Sequence, residues 1–169
     1  SIASRFVFGS KNGSTLFTIE HNSMSLMDFE YESHEKFLKT FLDGFKEVHA
    51  ACELTFVERI GLRYLDAVIP NEGDNIADYL QPQVAGLSGI LSGELLQSYS
   101  ETVMSSETDK LISRCVLRKG KLSMPPDMVM LTDKINPKFL GRDGLHAIID
   151  TDAFCDTRID DFSIQTIGD

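Results

Sequence analysis

The chain has 169 residues, a hydrophobic fraction of 42% that includes eleven Phe, and a formal net charge of −10. This length fits one domain, and so much apolar material fills a core without disulfides or metals. A strongly acidic surface disfavours nucleic acid, whose binding depends on neutralisation by Lys and Arg, and anionic membranes. We therefore expect neither nucleic acid nor a membrane as a partner.

Cysteine usage indicates a reducing compartment. Cys52, Cys115 and Cys155 are an odd number at wide spacings, with no CxxC pair. No apolar run reaches the ~20 residues of a membrane span, and no signal peptide is visible. We expect a soluble cytoplasmic protein. We expect residues 1–169 to form a single α+β domain. Because the sequence starts at Ser1 and not at Met, we also expect it to be a fragment of a longer protein.

The first half of the sequence predicts a β-meander followed by a long helix. Alternating apolar residues and turn clusters indicate strands at 5–8, 16–20 and 24–31. Ser33 is a favourable N-cap for a helix over 34–51. Apolar residues recur in this helix at the i, i+3, i+4 spacing of an amphipathic stripe: Phe37, Leu38, Phe41, Leu42, Phe45 and Val48. We expect the three Phe to lie buried against a sheet.

That sheet is predicted to contain a long strand at 54–69. Glu58 in its apolar register and Gly61 in its middle indicate a bulge or bend. Asp74 is predicted to cap a short helix ending near residue 80, and Asp160 a C-terminal helix. Further along, the pattern predicts a hairpin of 94–104 with 110–117, a loose connection over 122–144 and a strand over 145–153. The fold class is therefore α+β, a mainly antiparallel sheet with one long amphipathic helix, and a C-terminal helix, on one face.

The segment 58–66, which contains R-I-G-L-R-Y at 59–64, follows the amphipathic helix directly. In this feature the chain resembles a sporadically distributed bacterial protein family of unknown function. Segments 31–37, 80–82 and 150–154 are similar to other recurring pieces of that family. The resemblance implies a bacterial protein whose relatives extend further at both ends. It implies no activity, cofactor or catalytic residue.

Arg59, Gly61 and Arg63 form the candidate ligand-binding group. Side chains alternate along a strand, so these three residues share one face. Two guanidinium groups with a Gly between them are able to hold a carboxylate or phosphate. The more ordinary interpretation is pairing of each Arg with a carboxylate on a neighbouring strand: Glu20, Asp28, Glu30 or Asp66. The sequence favours structural pairing.

Other constellations are weaker. Asp150 and Asp152 share a strand face and are followed by further acidic residues, but the spacing fails the Ca²⁺-loop pattern, so we expect no metal site. A Cys115–His146 thiol–imidazole pair is one of many that three Cys and four His permit, and it is not favoured. The sequence contains no nucleotide-binding or hydrolase motif, and we expect no cofactor.

The sequence thus favours a non-catalytic binding or protein-interaction module over an enzyme. The alternative is a small-molecule enzyme or ligand-binding domain that anchors an anionic group on Arg59 and Arg63. A free arginine face in a cleft would favour the alternative. Homo-oligomerisation, or contact with other parts of a longer chain, is left open as the use of the exposed surface.

Overall fold

The computed structural model describes residues 4–160, and of Lys138 and Leu140 only the backbone. The chain forms two compact units, which are described separately. The first contains the described residues up to Val57 together with 131–136 and 159–160, and the second contains 58–130 and 137–158. The prediction that residues 1–169 form a single domain stays a prediction.

The first unit begins with the predicted meander. Strands β1 (Phe6–Gly9), β2 (Thr15–Ile19) and β3 (Met24–Asp28) form a three-stranded antiparallel sheet in chain order. Phe6 pairs with Ile19, and Phe17 pairs with Leu26. One face of this sheet therefore carries a row of large apolar side chains.

The predicted long helix is α1 (His34–Cys52), which contacts β3. The Ser33 hydroxyl accepts a hydrogen bond from the Lys36 backbone N–H, which confirms the predicted N-cap. A Cβ on Gly44 would lie 2.4 Å from the ring of Phe17, so only glycine lets the helix approach β2 this closely. Phe45 is buried, while Phe37 and Phe41 are half-buried, so the predicted burial holds fully for one of the three rings.

The predicted strand over 54–69 is divided. β4 (Phe56–Val57) pairs with β9 (Ile159–Asp160) in the first unit, whereas β5 (Ile60–Val68) belongs to the second. The chain bends at Glu58, where the sequence predicted an interruption. The helix contacts the β1–β3 sheet of its own unit, and the expectation that it covers the sheet of the long strand stays a prediction.

The second unit contains β5 and three further strands, β6 (Gln97–Ser105), β7 (Asp109–Lys121) and β8 (Asp143–Cys155). The four strands form an antiparallel sheet in the order β5-β8-β7-β6. β6 and β7 are the predicted hairpin, and the long β7 and β8 pair along thirteen residues. The α+β class, with antiparallel sheets and one long helix, is confirmed.

One face of this sheet, the apolar face, holds the core of the second unit. Cys115, Leu117 and Ala147 are buried there against Ile76 and Leu80 of the connection that follows β5. That connection contains a 3₁₀ helix at Ile76–Asp78, the short α2 (Pro82–Ala85) and a second 3₁₀ turn at Gly86–Gly89. The four-stranded sheet is therefore covered on its apolar face by the chain between β5 and β6.

The two predicted aspartate caps, Asp74 and Asp160, have other roles in the structure. Asn75, and not Asp74, caps the 3₁₀ helix, because the Asn75 side chain accepts from the Ala77 N–H while Asp74 accepts from the Tyr79 hydroxyl. Asp160 lies in β9, and the predicted C-terminal helix after it lies outside the described residues.

The connection over 122–144 contains a 3₁₀ helix at Pro126–Lys134 and α3 (Pro137–Leu140). None of the described helices is long and apolar enough to cross a membrane.

Candidate functional site

The opposite face of the four-stranded sheet, the charged face, carries side chains of both signs in cross-strand positions. The register sets Arg63 of β5 opposite Asp152, and Asp150 of β8 opposite Arg114 of β7. Arg114 in turn pairs with Glu101 of β6. Because paired residues project from the same face, these side chains form a row that crosses the whole sheet. Asp150 and Asp152 share this face, as the sequence predicted.

Asp150 is the buried centre of the row, with a side chain only 3% exposed. Arg63 donates from Nε to Asp150 Oδ1 at 2.7 Å and from Nη2 to Oδ2 at 2.8 Å, a parallel two-point pairing. Arg114 Nη1 donates to the same Oδ2 at 3.3 Å. Two guanidinium groups thus compensate one buried carboxylate, which would otherwise be costly to bury.

Each arginine also reaches a carboxylate near the surface. Arg63 Nη1 donates to Asp127 Oδ2 at 2.6 Å, and this bond is the main reason that the pKa of Asp127 lies below its usual value. Arg114 Nε donates to Glu101 Oε2 at 2.7 Å and lowers the pKa of Glu101. The Tyr99 hydroxyl also donates to Glu101 Oε2, which raises the pKa of Tyr99. The network therefore extends from Asp127 through Asp150 to Tyr99.

The three residues of the predicted ligand-binding group have different surroundings. The Arg59 guanidinium lies over the ring of Phe154, with Cζ 4.2 Å from the ring centroid, just before β5 begins. Gly61 is opposite Phe154, and a Cβ there would lie 3.2 Å from Phe154 Cβ. Arg63 forms ion pairs with Asp150 and Asp127. Gly61 and Arg63 thus share a face as predicted, while Arg59 and Arg63 bind different groups.

Pairing of Arg63 with carboxylates agrees with the structural interpretation, but the partners suggested from the sequence were wrong. They are Asp150 and Asp127, because β5 lies beside β8 in the sheet and Pro126–Lys134 brings Asp127 to the same face. Sequence reasoning also missed Arg114 and Glu101. The signal was present, because a hairpin closed near 105–109 places residues 101 and 114 opposite each other.

A second candidate surface is the outer edge of β6, which ends the sheet. Lys119 N–H donates to Leu96 O and Ser106 N–H donates to Asp109 O, so the even-numbered residues of β6 bond to β7. The backbone groups of the odd-numbered residues Tyr99, Glu101 and Val103 therefore point to the free edge. No partner strand for them occurs among residues 4–160.

Several large apolar side chains within β6 and in the segment before it are exposed. Val103 and Met104 are each 61% exposed, on opposite faces of β6. The turn before β6 contacts the strand where Gly86 meets Ser100. This turn and the residues around it add further exposed side chains: Leu87, Ile90, Leu91 and Leu96. A group of exposed apolar side chains of this kind is typical of a surface that another protein covers.

A cleft of about 890 Å³ lies where β5 ends and β8 begins. Arg142, Asp143 and His146 line it, together with Glu72 and Asp74 from the loop after β5. His146 Nδ1 lies 3.2 Å from the Gly144 carbonyl oxygen. Since a carbonyl only accepts, Nδ1 carries the proton in this contact.

Cys115 and His146 do not form a nucleophile and base. The register places Cys115 on the apolar face and His146 on the charged face of the sheet. Burial also raises the pKa of the Cys115 thiol, which disfavours the reactive thiolate.

Within the described part of the chain, no three His, Cys, Asp or Glu side chains are grouped so as to hold a metal ion. Comparisons of the chain with known protein families, with curated proteins and with solved structures found no match. The resemblance to the bacterial family of unknown function stays a prediction.

Proposed function

We propose that the chain is a non-catalytic protein-interaction module of a bacterial cytoplasmic protein, and that a partner pairs with the outer edge of β6. The observation that carries this proposal is the open hydrogen-bonding edge at Tyr99, Glu101 and Val103. An unpaired strand edge is a template for the addition of another strand, and many recognition domains use it.

Two features of β6 indicate that its outer edge pairs with another strand and is not simply exposed to solvent. Natural edge strands usually carry Lys, Pro or a bulge that blocks pairing, and β6, QSYSETVMS, contains neither Lys nor Pro. Its one charged side chain, Glu101, is already bound by Arg114. The edge strand is therefore nine residues long, and Arg114 compensates its single charged side chain. Such an edge suits the addition of a second strand.

The expected partner is an extended polypeptide segment with apolar side chains at alternate positions. Its backbone would bond to the odd-numbered residues of β6. Its side chains would contact Val103 and Tyr99 on one face, and Met104 and Leu96 on the other. A segment rich in acidic residues is disfavoured by the net charge of −10.

The catalytic alternative requires Arg59 and Arg63 to hold one anionic substrate together. Their contacts instead divide between the Phe154 ring and two carboxylates. This geometry favours the binding module.

The test is selection of extended nonapeptides from a displayed random library against the intact chain. Val103→Pro removes an outward N–H, which an edge strand tolerates without loss of its ladder. We expect this variant to weaken the selected peptides by roughly tenfold, the effect of one or two lost backbone hydrogen bonds. Val103→Ala, which keeps the N–H, is the matched control and should retain most of the binding. Peptides that bind Val103→Pro as well as the parent chain, or a selection that yields none, would refute the proposal.

A further inference from the structure

The Arg63 guanidinium has an inner and an outer side with different partners, away from the outer edge of β6. Its inner side, Nε and Nη2, is held by Asp150 at 2.7 and 2.8 Å, and that carboxylate is buried. This pairing fixes the plane and direction of the guanidinium. The outer side is consequently presented in one orientation.

Asp127 occupies the outer side unevenly. Nη1 donates to Asp127 Oδ2 at 2.6 Å, whereas Nη2 lies 3.4 Å from Oδ1. The Asp127 side chain is 60% exposed and the Arg63 side chain 24%. Water therefore reaches this ion pair, and a pair with so exposed a partner contributes little to stability. A dissolved anion can compete for the same donors.

Asp127 faces positive charge from both arginines of the charged face. Arg114 also lowers the pKa of Asp127, so the carboxylate lies in the field of two guanidinium groups. The other carboxylates that contact these arginines are Asp150 and Glu101. Without Asp127, neither Asp150 nor Glu101 occupies the outer donors of Arg63, while Asp152, opposite Arg63 in the register, adds a negative charge to this face.

We infer that the outer side of Arg63 is a binding site for the carboxylate or phosphate group of a small ligand, and that Asp127 is its built-in occupant. The ligand takes the two-point position opposite Nη1 and Nη2, the geometry in which arginine recognises both groups. Asp127, on the Pro126–Lys134 3₁₀ helix, moves into solvent when the ligand binds. The intact chain therefore binds such anions weakly, because Asp127 competes for the site.

The test titrates inorganic phosphate and, separately, succinate into the intact chain and into Asp127→Ala at constant ionic strength. The readout is the ¹H–¹⁵N NMR signal of Arg63 Nε, with calorimetry for affinity. If Asp127 fills the site about nine-tenths of the time, its removal increases the affinity about tenfold. Asp133→Ala, a loss of one exposed carboxylate from the same 3₁₀ helix, is the matched control and should leave the affinity unchanged. A preference between phosphate and succinate identifies which of the two groups the site takes.

The inference is overturned if Asp127→Ala shows no saturable shift at millimolar phosphate or succinate, or if it binds no more tightly than the parent chain. Arg63→Lys in the Asp127→Ala background keeps the charge but removes the two-point geometry, and it should abolish the binding. If that double variant does not fold, Arg59→Lys in the same background provides the second check. Loss of binding in Arg59→Lys would place the site at Arg59 and contradict the assignment to Arg63.

Discussion

The two faces of the four-stranded sheet are built by the same strands, yet they use different interactions. On the apolar face, Leu117 and Ala147 are almost fully buried under the connection between β5 and β6. On the charged face, Asp150 is just as buried but is held by Arg63 and Arg114. Burial alone therefore does not distinguish an apolar core from an ion network. The partners decide what each face contributes.

The largest effect is expected on the apolar face. Leu117→Ala removes a side chain that is 1% exposed and leaves a cavity, which should lower the free energy of unfolding by about 3–4 kcal/mol. Urea unfolding measures this loss. Leu96→Ala, a truncation of an exposed leucine, should change the stability by less than about 0.5 kcal/mol. Equal losses in the two variants would contradict the placement of the core.

On the charged face, Arg63→Ala should cost about 3 kcal/mol, because it leaves the buried Asp150 with Arg114 alone. Arg59→Ala removes only a cation–π contact with Phe154 and should cost about 0.5–1 kcal/mol. Unfolding of both variants under the same conditions tests the difference. Unchanged stability of Arg63→Ala together with lost anion binding would show that the residue serves a ligand alone.

Asp127→Ala should have a much smaller effect, below about 1 kcal/mol at neutral pH, because the side chain is largely exposed. The sign of its pH dependence follows from the lowered pKa of Asp127, which Arg63 causes. The ion pair stabilises the folded state above the unfolded pKa of about 4, and this contribution is lost as the pH falls through the folded pKa. Unfolding curves should thus differ at pH 7 and converge in acid. A difference that grows on acidification would be inconsistent with the ion pair.

The smallest effect is expected from divalent cations. The Asp150 oxygens already accept from arginine, so millimolar Ca²⁺ or Mg²⁺ should leave the thermal midpoint unchanged. Thermal denaturation with and without each ion measures this. A rise of many degrees that disappears in Asp152→Asn would reveal a metal site on the charged face.

The sequence predicted the local elements better than their assembly. Ser33, the apolar stripe and the turn clusters act over a few residues, and the meander, the helix and the β6–β7 hairpin were all predicted from them. The pairing of β5 with β8 joins residues far apart in sequence. Glu58 and Gly61 indicated a bend within residues 54–69, but nothing local to this segment indicates that the chain continues in another sheet after the bend.

Only part of the candidate site was predicted, because local patterns do not determine which strands pair. Alternation correctly set Gly61 and Arg63 on one face, and likewise Asp150 and Asp152. The partners of Arg63 depend on the strand order and on the path of Pro126–Lys134, which local patterns do not contain. The Glu101–Arg114 pair could have been predicted from the sequence, since the hairpin register determines it.

Amide hydrogen exchange along β6 tests the open edge, on which the proposed function depends, most directly. The N–H groups of Ser98, Ser100, Thr102 and Met104 bond to β7, so they should exchange slowly. The N–H groups of Tyr99, Glu101 and Val103 face outward and should exchange quickly. We expect this alternation in the chain alone, and protection of the three outward amides when a selected peptide is added. Uniform protection of all seven amides in the chain alone would show that the edge is already paired, and would rule out β6 as an open edge.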